Sequence, residues 1–496
     1  MSPMRLTEAS LHSVRSGTIL PTYDRGATRF GIVHIGPGAF HRAHQAYYVD
    51  TLLHADKRWA ISALSLKSTG LRDALAPQQG LYTLIELGAA PRARIIGAIR
   101  ELLVGSTDAE RAFARLTSRD TRIVSLTVTE KGYCLDARST LDLVNPDVAH
   151  DLANPPASKD AGPRSTIGWI VEALRRRRAQ NVGAFTVLSC DNLPDNGAVL
   201  HRALVAFARE TDADLAKWIE SEVVCPRTMV DSITPATDDA LRDRAKALTG
   251  VIDEWPIQRE PFTQWVIEDV PAMRDADWQS VGVTLAKDVG VYDRAKLRLV
   301  NGPHSTLTYL GLLRGHESVA DAMRDEQLAR FVELLMTEDL APSLGSGSGA
   351  SPGLDVEHYI SAVLARFRNP GIKHLLSQIA WDGSKKLPVR ITPVIAEALK
   401  AGRPIHRLVM PLAAWMRFIV RQAKAGVAIV DPDAARLAQI GRECTGDAKG
   451  DVARFAVIEA VLPPGILADE KVRRELESAY ERLALPHAAI TPELSA

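Results

Sequence analysis

The chain has 496 residues, of which 46% are hydrophobic, and its 60 Lys and Arg residues are balanced by 60 Asp and Glu residues. The length corresponds to about three average domains, and the 33 glycines and 28 prolines are too few for a disordered or fibrous protein. The zero net charge excludes the strongly basic class of nucleic-acid-binding proteins.

The four cysteines are widely spaced and form no C-x-x-C pair. This spacing predicts neither a disulfide framework nor a zinc cage, and it fits a reducing compartment. The N-terminal segment Met1–Gly17 lacks the apolar region of a secretory signal, and no run reaches the roughly 18 apolar residues of a membrane-spanning helix. We therefore expect a cytoplasmic protein that acts on a small molecule, without a nucleic-acid or membrane partner.

The first half of the chain alternates strand-like and helix-like segments. A helical pattern at about Ala39–His54 follows the first of four apolar, β-branched runs. These predicted strands are Arg29–Ile35, Trp59–Leu66, Thr121–Thr129 and Ala184–Cys190. Strands separated by helices predict right-handed βαβ crossovers and a mostly parallel sheet with helices on both faces, which is an α/β fold.

The second half shows a different pattern, because from about Tyr292 onward apolar residues recur with a helical period and no segment indicates a clear strand. The predicted helices are Ala295–Leu313, Glu326–Met336, Val356–Phe367, Leu408–Ala425, Val452–Val461 and Lys471–Leu485. Pro342–Gly353 is rich in Gly, Ser and Pro and is predicted to be a flexible surface loop. The change of pattern predicts a boundary near residue 287, with an α/β domain at 1–286 and a helical domain at 287–496.

A glycine-containing segment, Gly36-Pro-Gly38-Ala-Phe40-His41-Arg42, follows the first predicted strand and opens a helix. Gly36 allows a tight turn, Gly38 lets a pyrophosphate approach the backbone, and a helix N-terminus attracts phosphate. G-x-G is a weak signal by itself, and His41 stands where the dinucleotide-binding pattern has its third glycine. The position between strand and helix favours a dinucleotide-binding turn over an ordinary βα turn.

The residues after the second predicted strand bear on the choice of cofactor. The dinucleotide-binding pattern expects a carboxylate there for the ribose 2′-hydroxyl, but the chain has Ser65-Leu-Lys67-Ser68 and no carboxylate until Asp73. Lys67 and Ser68 are able to meet a 2′-phosphate, and a plain surface lysine explains the residue equally well. The residues therefore leave NAD versus NADP open.

The segment Lys296–Gly311, KLRLVNGPHSTLTYLG, places Lys296, Asn301 and His304 within one sector of about 140° on an ideal helix. Pro303 predicts a kink or a fresh helix start at the residue before it. A buried lysine can lose its proton and act as a general base, and an asparagine can hold an alkoxide through its N–H groups. A histidine can orient a hydroxyl-rich substrate. From the residues alone, a solvated lysine, a capping asparagine and a core histidine are the better explanation.

The sequence has no H-E-x-x-H motif, no Cys/His cluster and no carboxylate pair at ligand spacing. We therefore expect no metal, and activation of an alcohol by zinc is disfavoured. Hydride transfer would then need a protein base, for which Lys296 is the best-placed candidate.

These segments resemble the polyol-specific long-chain dehydrogenases, the mannitol 2-dehydrogenase and fructuronate reductase family. The ordered blocks that carry the resemblance are IVHIGPGAFHRAHQAYYVDTLL, LTVTEKGY, VLSCDNLPDNG, PRTMVDSITP, PFTQWVIED, KLRLVNGPHSTLTYLG and RFRNPGIKHLLSQIAWDGSKKLP. They span about residues 30 to 390. The resemblance implies a Rossmann-type N-terminal domain with a largely α-helical C-terminal domain. It also implies metal-independent, NAD(P)-dependent interconversion of a linear polyol and its ketose.

The resemblance also implies roles for individual residues. Lys296 matches the family's general base, and Asn192 and Asn301 match two amides that stabilise charge on the substrate oxygen. His304 matches a contact to a substrate hydroxyl, and Asp231 matches a further polar substrate contact.

Cofactor contacts are predicted at Gly36, Gly38, Phe40, Arg42, Lys67 and Glu130, the last as a carboxylate near the nicotinamide. Two departures stand out. Many members have serine where this chain has Pro303, and the carboxylate expected after the second strand of NAD-dependent members is missing.

Several functions stay open at this point. Oxidation of D-mannitol and reduction of D-fructuronate to D-mannonate differ in whether the substrate carries a carboxylate. A substrate carboxylate needs a cation nearby, such as Arg366, Lys385 or Lys386. We predict a polyol as the first choice, an aldonate as the second, and Lys386 as the candidate contact. A non-catalytic nucleotide-binding sugar sensor and a methyltransferase are alternatives from other classes.

Overall fold

The computed structural model describes residues 4–88, 90–154, 162–345 and 354–484. The chain forms two compact units, Met1–Gly290 and Val291–Ala496. The assignment of cofactor binding to 1–286 and of substrate binding to 287–496 stays a prediction.

Within the described residues, the strands all belong to the first unit. They are β1 (Ile32–Ile35), β2 (Ile61–Ser65), β3 (Tyr82–Glu86), β4 (Arg92–Ile96), β5 (Ile99–Val104), β6 (Ile123–Leu126), β7 (Thr186–Ser189), β8 (Thr228–Asp231), β9 (Ile257–Arg259), β10 (Gln264–Glu268) and β11 (Thr284–Ala286). Two three-stranded sheets, β11-β10-β8 and β4-β3-β9, accompany a larger central sheet.

The central sheet has the order β5-β2-β1-β6-β7 and is parallel throughout. In the order of the chain its strands are arranged 3-2-1-4-5, as in the first five strands of a Rossmann fold. Ile35 pairs with Leu64 on one side and with Leu126 on the other. The residues that follow β1, β2 and β6 therefore meet at one edge, where the strand order reverses. The predicted parallel α/β sheet is confirmed.

The helices of the first unit are α1 (Ala39–Ala43), α2 (Gln45–Leu52), α3 (Gly70–Leu75), α4 (Ala109–Leu116), α5 (Pro146–Ala153), α6 (Thr166–Ala179), α7 (Asn196–Thr211), α8 (Ala213–Glu222) and α9 (Asp239–Thr249). Short 3₁₀ turns lie at Glu8–Ser13, Ala76–Gln78, Glu130–Tyr133, Pro271–Asp275 and Gln279–Val281. The single helix predicted at Ala39–His54 is wrong. The backbone of His44 leaves the helical region, with φ −116° and ψ −86°, and separates α1 from α2.

Each face of the central sheet packs on its own hydrophobic core. Successive residues of β1 point to opposite faces, so Val33 joins the core that contains Trp169, while Ile32 joins the core that contains Trp59. His34 shares the face of Ile32. Burial on both faces explains why the central strands are nearly continuous apolar runs.

The helices of the second unit are α10 (Gly290–Ala295), α11 (Gly302–Leu313), α12 (Val319–Ala322), α13 (Glu326–Leu334), α14 (Val356–Phe367), α15 (Leu376–Ile379), α16 (Gly383–Arg390), α17 (Thr392–Lys400), α18 (His406–Lys424), α19 (Ala434–Glu443), α20 (Ala448–Phe455), α21 (Pro464–Leu467) and α22 (Glu470–Arg482). π-helical segments lie at Lys296–Asn301 and Leu335–Leu340, and a 3₁₀ turn lies at Ala341–Leu344. Helix α18 is central and packs against α11, α19 and α22.

Two predicted segments of the second half either differ from the structure or lie partly outside the described residues. The helix predicted at Val452–Val461 is wrong beyond Phe455, where α20 ends. The predicted loop Pro342–Gly353 begins within the 3₁₀ turn, and its residues 346–353 lie outside the described ranges, as does Leu485. Of the helices that the structure describes, none has the length and apolar character needed to span a bilayer.

Candidate functional site

A cavity of about 820 Å³ opens at the edge of the central sheet where the strand order reverses. Its walls come from the residues after β1, β2 and β6, from the starts of α5 and α6, and from the loops after β8 and before β9. The lining residues include Gly36–Ala39, Arg42, Ser65–Ser68, Thr127, Val128, Lys131, Gly132, Cys134, Asp147, Arg164–Thr166, Ala236, Thr237 and Trp255. Dinucleotides bind at this position of an open α/β sheet.

The two glycines of the turn after β1 differ in whether the fold leaves space for a side chain. Gly36 has φ +86°, and a Cβ there would collide with the carbonyl oxygen of Thr127, so the fold itself requires a glycine. Gly38 has φ −71°, and the nearest atom to an added Cβ would be 3.8 Å away. Because the protein leaves room for a side chain at this exposed position, the open backbone of Gly38 is suited to a bound group.

Arg42 and Phe40 lie on α1, but only Arg42 lines the cleft. The buried Arg42 donates from Nη1 to the carbonyl oxygen of Trp255 at 2.6 Å, and its guanidinium lies over the rings of Tyr82 and Trp255. Burial lowers the pKa of Arg42. Phe40 stacks on His44 at 4.9 Å instead, so the structure does not place it among the lining residues.

A carboxylate that the sequence analysis missed lies in the corner of the cleft after β2. Asp147 accepts from Nζ of Lys67 at 2.7 Å, and both residues line the cavity. Asp147 comes from the first turn of α5, which is capped by Asn145 and begins with Pro146. The Asn-Pro-Asp helix start was a visible signal, but its position beside Lys67 is created by the fold.

The turn after β6 is held by the half-buried carboxylate of Asp191. Asp191 accepts from the backbone N–H groups of Val128 and Thr129, both at 3.0 Å, and from the hydroxyl of Tyr133 at 2.8 Å. Burial raises the pKa of Asp191. Glu130, predicted to meet the nicotinamide, is exposed and is not among the lining residues, whereas its neighbours Lys131 and Gly132 are.

The predicted substrate residues of the first unit lie on neighbouring segments. Asn192 is exposed in the loop after β7, and Asp231 is the buried last residue of β8. The side chain of Asn196 donates to the carbonyl oxygens of Asp191 at 3.2 Å and of Thr228 at 3.0 Å. The loop that carries Asn192 is therefore tied to the strand that carries Asp231.

In the second unit, Lys296 and Asn301 are the first and last residues of a π-helical turn. The N–H of Gly302 donates to the carbonyl oxygen of Leu297, five residues earlier, and α11 begins at Gly302 with Pro303 in its first turn. The predicted disturbance before the proline is thus a π-helical turn, and the straight helix used to estimate the 140° sector is wrong. Such single turns occur frequently at functional sites.

His304 is buried in the second unit. Its ring stacks on Phe367 with centroids 4.4 Å apart and meets His374 edge-on at 5.0 Å. Burial first, and then the positive charges of neighbouring groups including Arg366 and Arg390, hold the pKa of His304 well below its ordinary value. The imidazole is therefore neutral at neutral pH, and its Nε2 has no hydrogen-bond partner in the structure.

Cations lie around His304. Arg390 donates from Nη1 to the carbonyl oxygen of Asn301 at 3.3 Å and to Oγ of Ser305 at 3.1 Å, which ties α16 to the end of the π-helical turn. Burial lowers the pKa of Arg390 to about 10. The sequence analysis missed Arg390, although it lies one helical turn after Lys386.

The three cations proposed from the sequence differ in their surroundings. Arg366 is buried, Lys386 is half-buried and Lys385 is exposed. The positive charges of Arg366 and Lys386 both lower the pKa of His304. Lys386 also donates from Nζ to the carbonyl oxygen of Ile379 at 3.1 Å. Within the described ranges, no cluster of three or more His, Cys, Asp or Glu residues could hold a metal ion.

Comparisons with known proteins cover nearly the whole chain. The model of the mannitol dehydrogenase Rossmann domain matches residues 30–280, and that of the mannitol dehydrogenase C-terminal domain matches residues 288–484. Mannitol 2-dehydrogenase of Aspergillus fumigatus is 37% identical over 98% of this chain and 97% of its own length. D-mannonate oxidoreductase of Escherichia coli is 42% identical over 86% of this chain and 88% of its own length.

Two solved structures are also similar. Mannitol 2-dehydrogenase of Pseudomonas fluorescens, in a ternary complex with NAD and D-mannitol, has a TM-score of 0.78 and 37% identity, with 97% of both chains covered. A substrate-free D-sorbitol dehydrogenase has a TM-score of 0.89 and 30% identity, with 99% of this chain and 100% of that chain covered. With both domain models matched in order and relatives of this identity over most of the chain, the protein belongs to the mannitol dehydrogenase family.

Proposed function

We propose that the protein is an NAD-dependent secondary-alcohol dehydrogenase that interconverts a linear polyol and its ketose, of the D-mannitol and D-fructose type. The observation that carries the proposal is the π-helical turn that begins at Lys296 and ends at Asn301. It presents an amine and an amide in a family whose solved relative holds NAD and D-mannitol.

The cleft of the first unit fits a dinucleotide. Gly36 makes the turn, Gly38 leaves its backbone open, and Asp147 supplies a carboxylate in the corner after β2, where a ribose hydroxyl is expected. When NAD is bound, its nicotinamide ring supplies the hydride acceptor. Asp147 therefore supports NAD as the preferred cofactor, in place of the carboxylate that the sequence lacks after β2.

The chain's own residues would then handle the proton and the charge. Lys296, in its neutral form, takes the proton of the substrate hydroxyl. Asn192 and Asn301 donate N–H groups to the oxygen as negative charge gathers on it, a preorganised stabilisation. The neutral imidazole of His304 and the carboxylate of Asp231 hold the neighbouring hydroxyls and so orient the substrate.

The role of Lys296 is tested with Lys296→Ala. We expect the turnover number for polyol oxidation to fall about 10²- to 10⁴-fold, because a positioned general base contributes roughly this much. NADH binding, followed by fluorescence, should stay within about threefold of the wild type, since the cleft is untouched. The matched control is Lys424→Ala, which removes an exposed lysine at the end of α18 and should leave both quantities unchanged. Near-full turnover in Lys296→Ala contradicts the assignment.

An aldonate is the second candidate substrate, and a specific observation favours it. The positive charges of Arg366, Lys386 and Arg390 all lower the pKa of His304, and a group of cations near one side chain would suit a substrate carboxylate. The distinguishing experiment assays D-mannitol, D-mannonate, D-arabinitol, D-sorbitol, D-fructose and D-fructuronate, each with NAD(H) and NADP(H). If D-mannonate is the substrate, Lys386→Met should raise its KM at least about tenfold and change the KM for D-mannitol much less.

A further inference from the structure

A pair of buried imidazoles lies next to the glycine turn. His34 is the third residue of β1 and His41 lies in α1, and their rings stack with centroids 3.4 Å apart and planes 9° apart. Position 41 corresponds to the third glycine of the dinucleotide-binding pattern, whose role is to let the helix approach the strand. In this chain the helix packs on the strand through two flat rings instead.

The hydrogen bonds of His34 determine which ring nitrogen carries its proton. Oγ1 of Thr127 lies 2.6 Å from the carbonyl oxygen of Gly36, and because a carbonyl only accepts, the hydroxyl donates its one proton there. Nε2 of His34, 2.9 Å from the same hydroxyl, must therefore be protonated and donate to it. Nδ1 is then an acceptor, and the hydroxyl of Ser125, 2.8 Å away, donates to it.

These bonds form one directed chain from Ser125 through His34 and Thr127 to the carbonyl oxygen of Gly36. That carbonyl oxygen also accepts the N–H of Gly38 at 2.7 Å and lies 3.4 Å from Nε2 of His34, so these contacts together fix the peptide plane of the turn. The orientation of this peptide decides which way the backbone of Gly38 faces the cleft.

We propose that His34 is a positioning residue for dinucleotide binding, because its neutral imidazole holds Thr127, and through it the Gly36 carbonyl, in the orientation that the phosphates of the dinucleotide need. The inference rests on the proposed binding of NAD in this cleft. Burial maintains the required state, since it lowers the pKa of His34 to about 3 and keeps the ring uncharged at neutral pH.

Two substitutions separate the two hydrogen bonds of His34. The amide nitrogen of a glutamine reaches the place of Nε2 and donates to Thr127, whereas the amide oxygen of an asparagine reaches the place of Nδ1 and accepts only from Ser125. Both substitutions remove the ring that stacks on His41. A purely structural role therefore predicts a similar loss of stability in both variants and the same affinity for NADH.

The measurement is a fluorescence titration of the full-length protein with NADH alone, with the thermal midpoint of each variant measured without cofactor. We expect the dissociation constant of His34→Gln to stay within about threefold of the wild type and that of His34→Asn to rise about tenfold or more. Equal affinities in the two folded variants overturn the positioning role. A wild-type protein that fails to bind NADH overturns the proposed function instead, so the two failures are distinct.

A second pair of variants gives the answer if substitution of His34 prevents folding. Thr127→Ser keeps the hydroxyl that joins His34 to the Gly36 carbonyl, and Thr127→Val removes it at nearly the same volume. The same contrast in NADH affinity, about threefold or less against about tenfold or more, is expected between them. An equal affinity of the two Thr127 variants overturns the proposal.

Discussion

At the scale of single residues, Gly36 and Gly38 differ in what a methyl group would meet. The fold excludes a side chain at Gly36, where φ is positive and Thr127 is in the way, whereas Gly38 has ordinary φ and space around it. We expect Gly38→Ala to fold with a free energy of unfolding within about 1 kcal/mol of the wild type, because alanine restricts the unfolded chain but is a poorer N-cap residue for α1 than glycine. Its dissociation constant for NADH should rise at least about tenfold, because the added methyl group stands where the dinucleotide approaches.

Denaturant unfolding and NADH titration of the same variant check both halves of this prediction. Gly36→Ala is the matched control, since it should lose stability before any effect on binding is considered. A Gly38→Ala protein that binds NADH as tightly as the wild type would show that the open backbone at this position serves no ligand.

The ion pair between Lys67 and Asp147 leads to a prediction about cofactor choice. The side chain of Lys67 is 70% exposed and that of Asp147 is 34% exposed, so the pair contributes only about 0–1 kcal/mol to stability. Its electrostatic effect on a 2′-phosphate is larger, because Asp147 repels the phosphate and neutralises Lys67. We expect Asp147→Asn to increase the affinity for NADPH relative to NADH about tenfold, with an unchanged thermal midpoint.

The control for this prediction is Asp214→Asn, which breaks an ion pair with Lys217 on the surface of α8 and changes the net charge by the same amount. Competitive titration of each variant with NADH and NADPH gives the ratio of the two dissociation constants. An unchanged ratio in Asp147→Asn would assign cofactor choice to other residues of the cleft.

The sequence predicted the residues whose chemistry is carried by a local motif, such as Gly36, Gly38 and Lys67, and the structure places these three in the cleft. It did not indicate Asp147 or Arg390, because the place of each in the site depends on its contact with a residue of another element. The 3₁₀ turn after β6 places Lys131 in the cleft wall, and the contact of its neighbour Glu130 with the nicotinamide stays a prediction.

At the scale of elements, the turn after β6 stores backbone strain. Thr129 has φ +63° and ψ 167°, a conformation that β-branched residues avoid, and Asp191 holds it there through two backbone N–H groups. The strain costs about 1–3 kcal/mol, whereas a glycine costs about 0.4–1 kcal/mol through the freedom of the unfolded chain. We therefore expect Thr129→Gly to raise the free energy of unfolding by about 1 kcal/mol, measured by urea unfolding.

A double-mutant cycle with Asp191→Asn tests the cause of this effect. The amide oxygen of an asparagine accepts from only one of the two N–H groups, because its NH₂ group then faces the other N–H donor. The turn therefore relaxes. Thr129→Gly should then stabilise the Asp191→Asn protein less than the wild type, since the strain has already been released. Strictly additive effects would contradict a turn strained by the carboxylate.

Within the central sheet, the four predicted strands are buried along nearly their whole length, whereas the missed strand β5 is only partly buried. β1, β2, β6 and β7 were predicted because both faces are covered and the runs are apolar. The strand Arg92–Ile96 was missed because charged residues alternate with buried ones and it pairs outside the central sheet. The break at His44 and the π-helical turn Lys296–Asn301 interrupt continuous helical periodicity, which conceals a change of backbone geometry unless a proline marks it. Pro303 marked the second break, and no such signal marked the first.

At the scale of the whole molecule, fold class follows from the arrangement of elements. Alternation of strands and helices in the first unit and helical periodicity in the second are properties of many residues together, so errors at single boundaries do not change them. Substrate choice has the opposite character. In the proposed function it depends on whether a few cations, such as Arg366, Lys386 and Arg390, meet a carboxylate or a hydroxyl group, and the sequence pattern is the same in both cases.

The buried histidines of the molecule predict how its stability depends on pH. Burial, followed by the charges of neighbouring groups such as His34, holds the pKa of His41 well below its ordinary value of about 6.5. At mildly acidic pH the unfolded chain therefore binds a proton at this residue and the folded protein does not. The free energy of unfolding therefore falls as the pH decreases below about 6.5, by up to about 1.4 kcal/mol per pH unit for each such group.

His41→Phe keeps a flat ring against His34 and removes one of these groups. We expect its loss of stability between about pH 6 and pH 5 to be smaller than that of the wild type by the equivalent of one proton. Urea unfolding of both proteins across this range, with about pH 8 as the common reference, measures the difference, and parallel curves would show that His41 is protonated in the folded state.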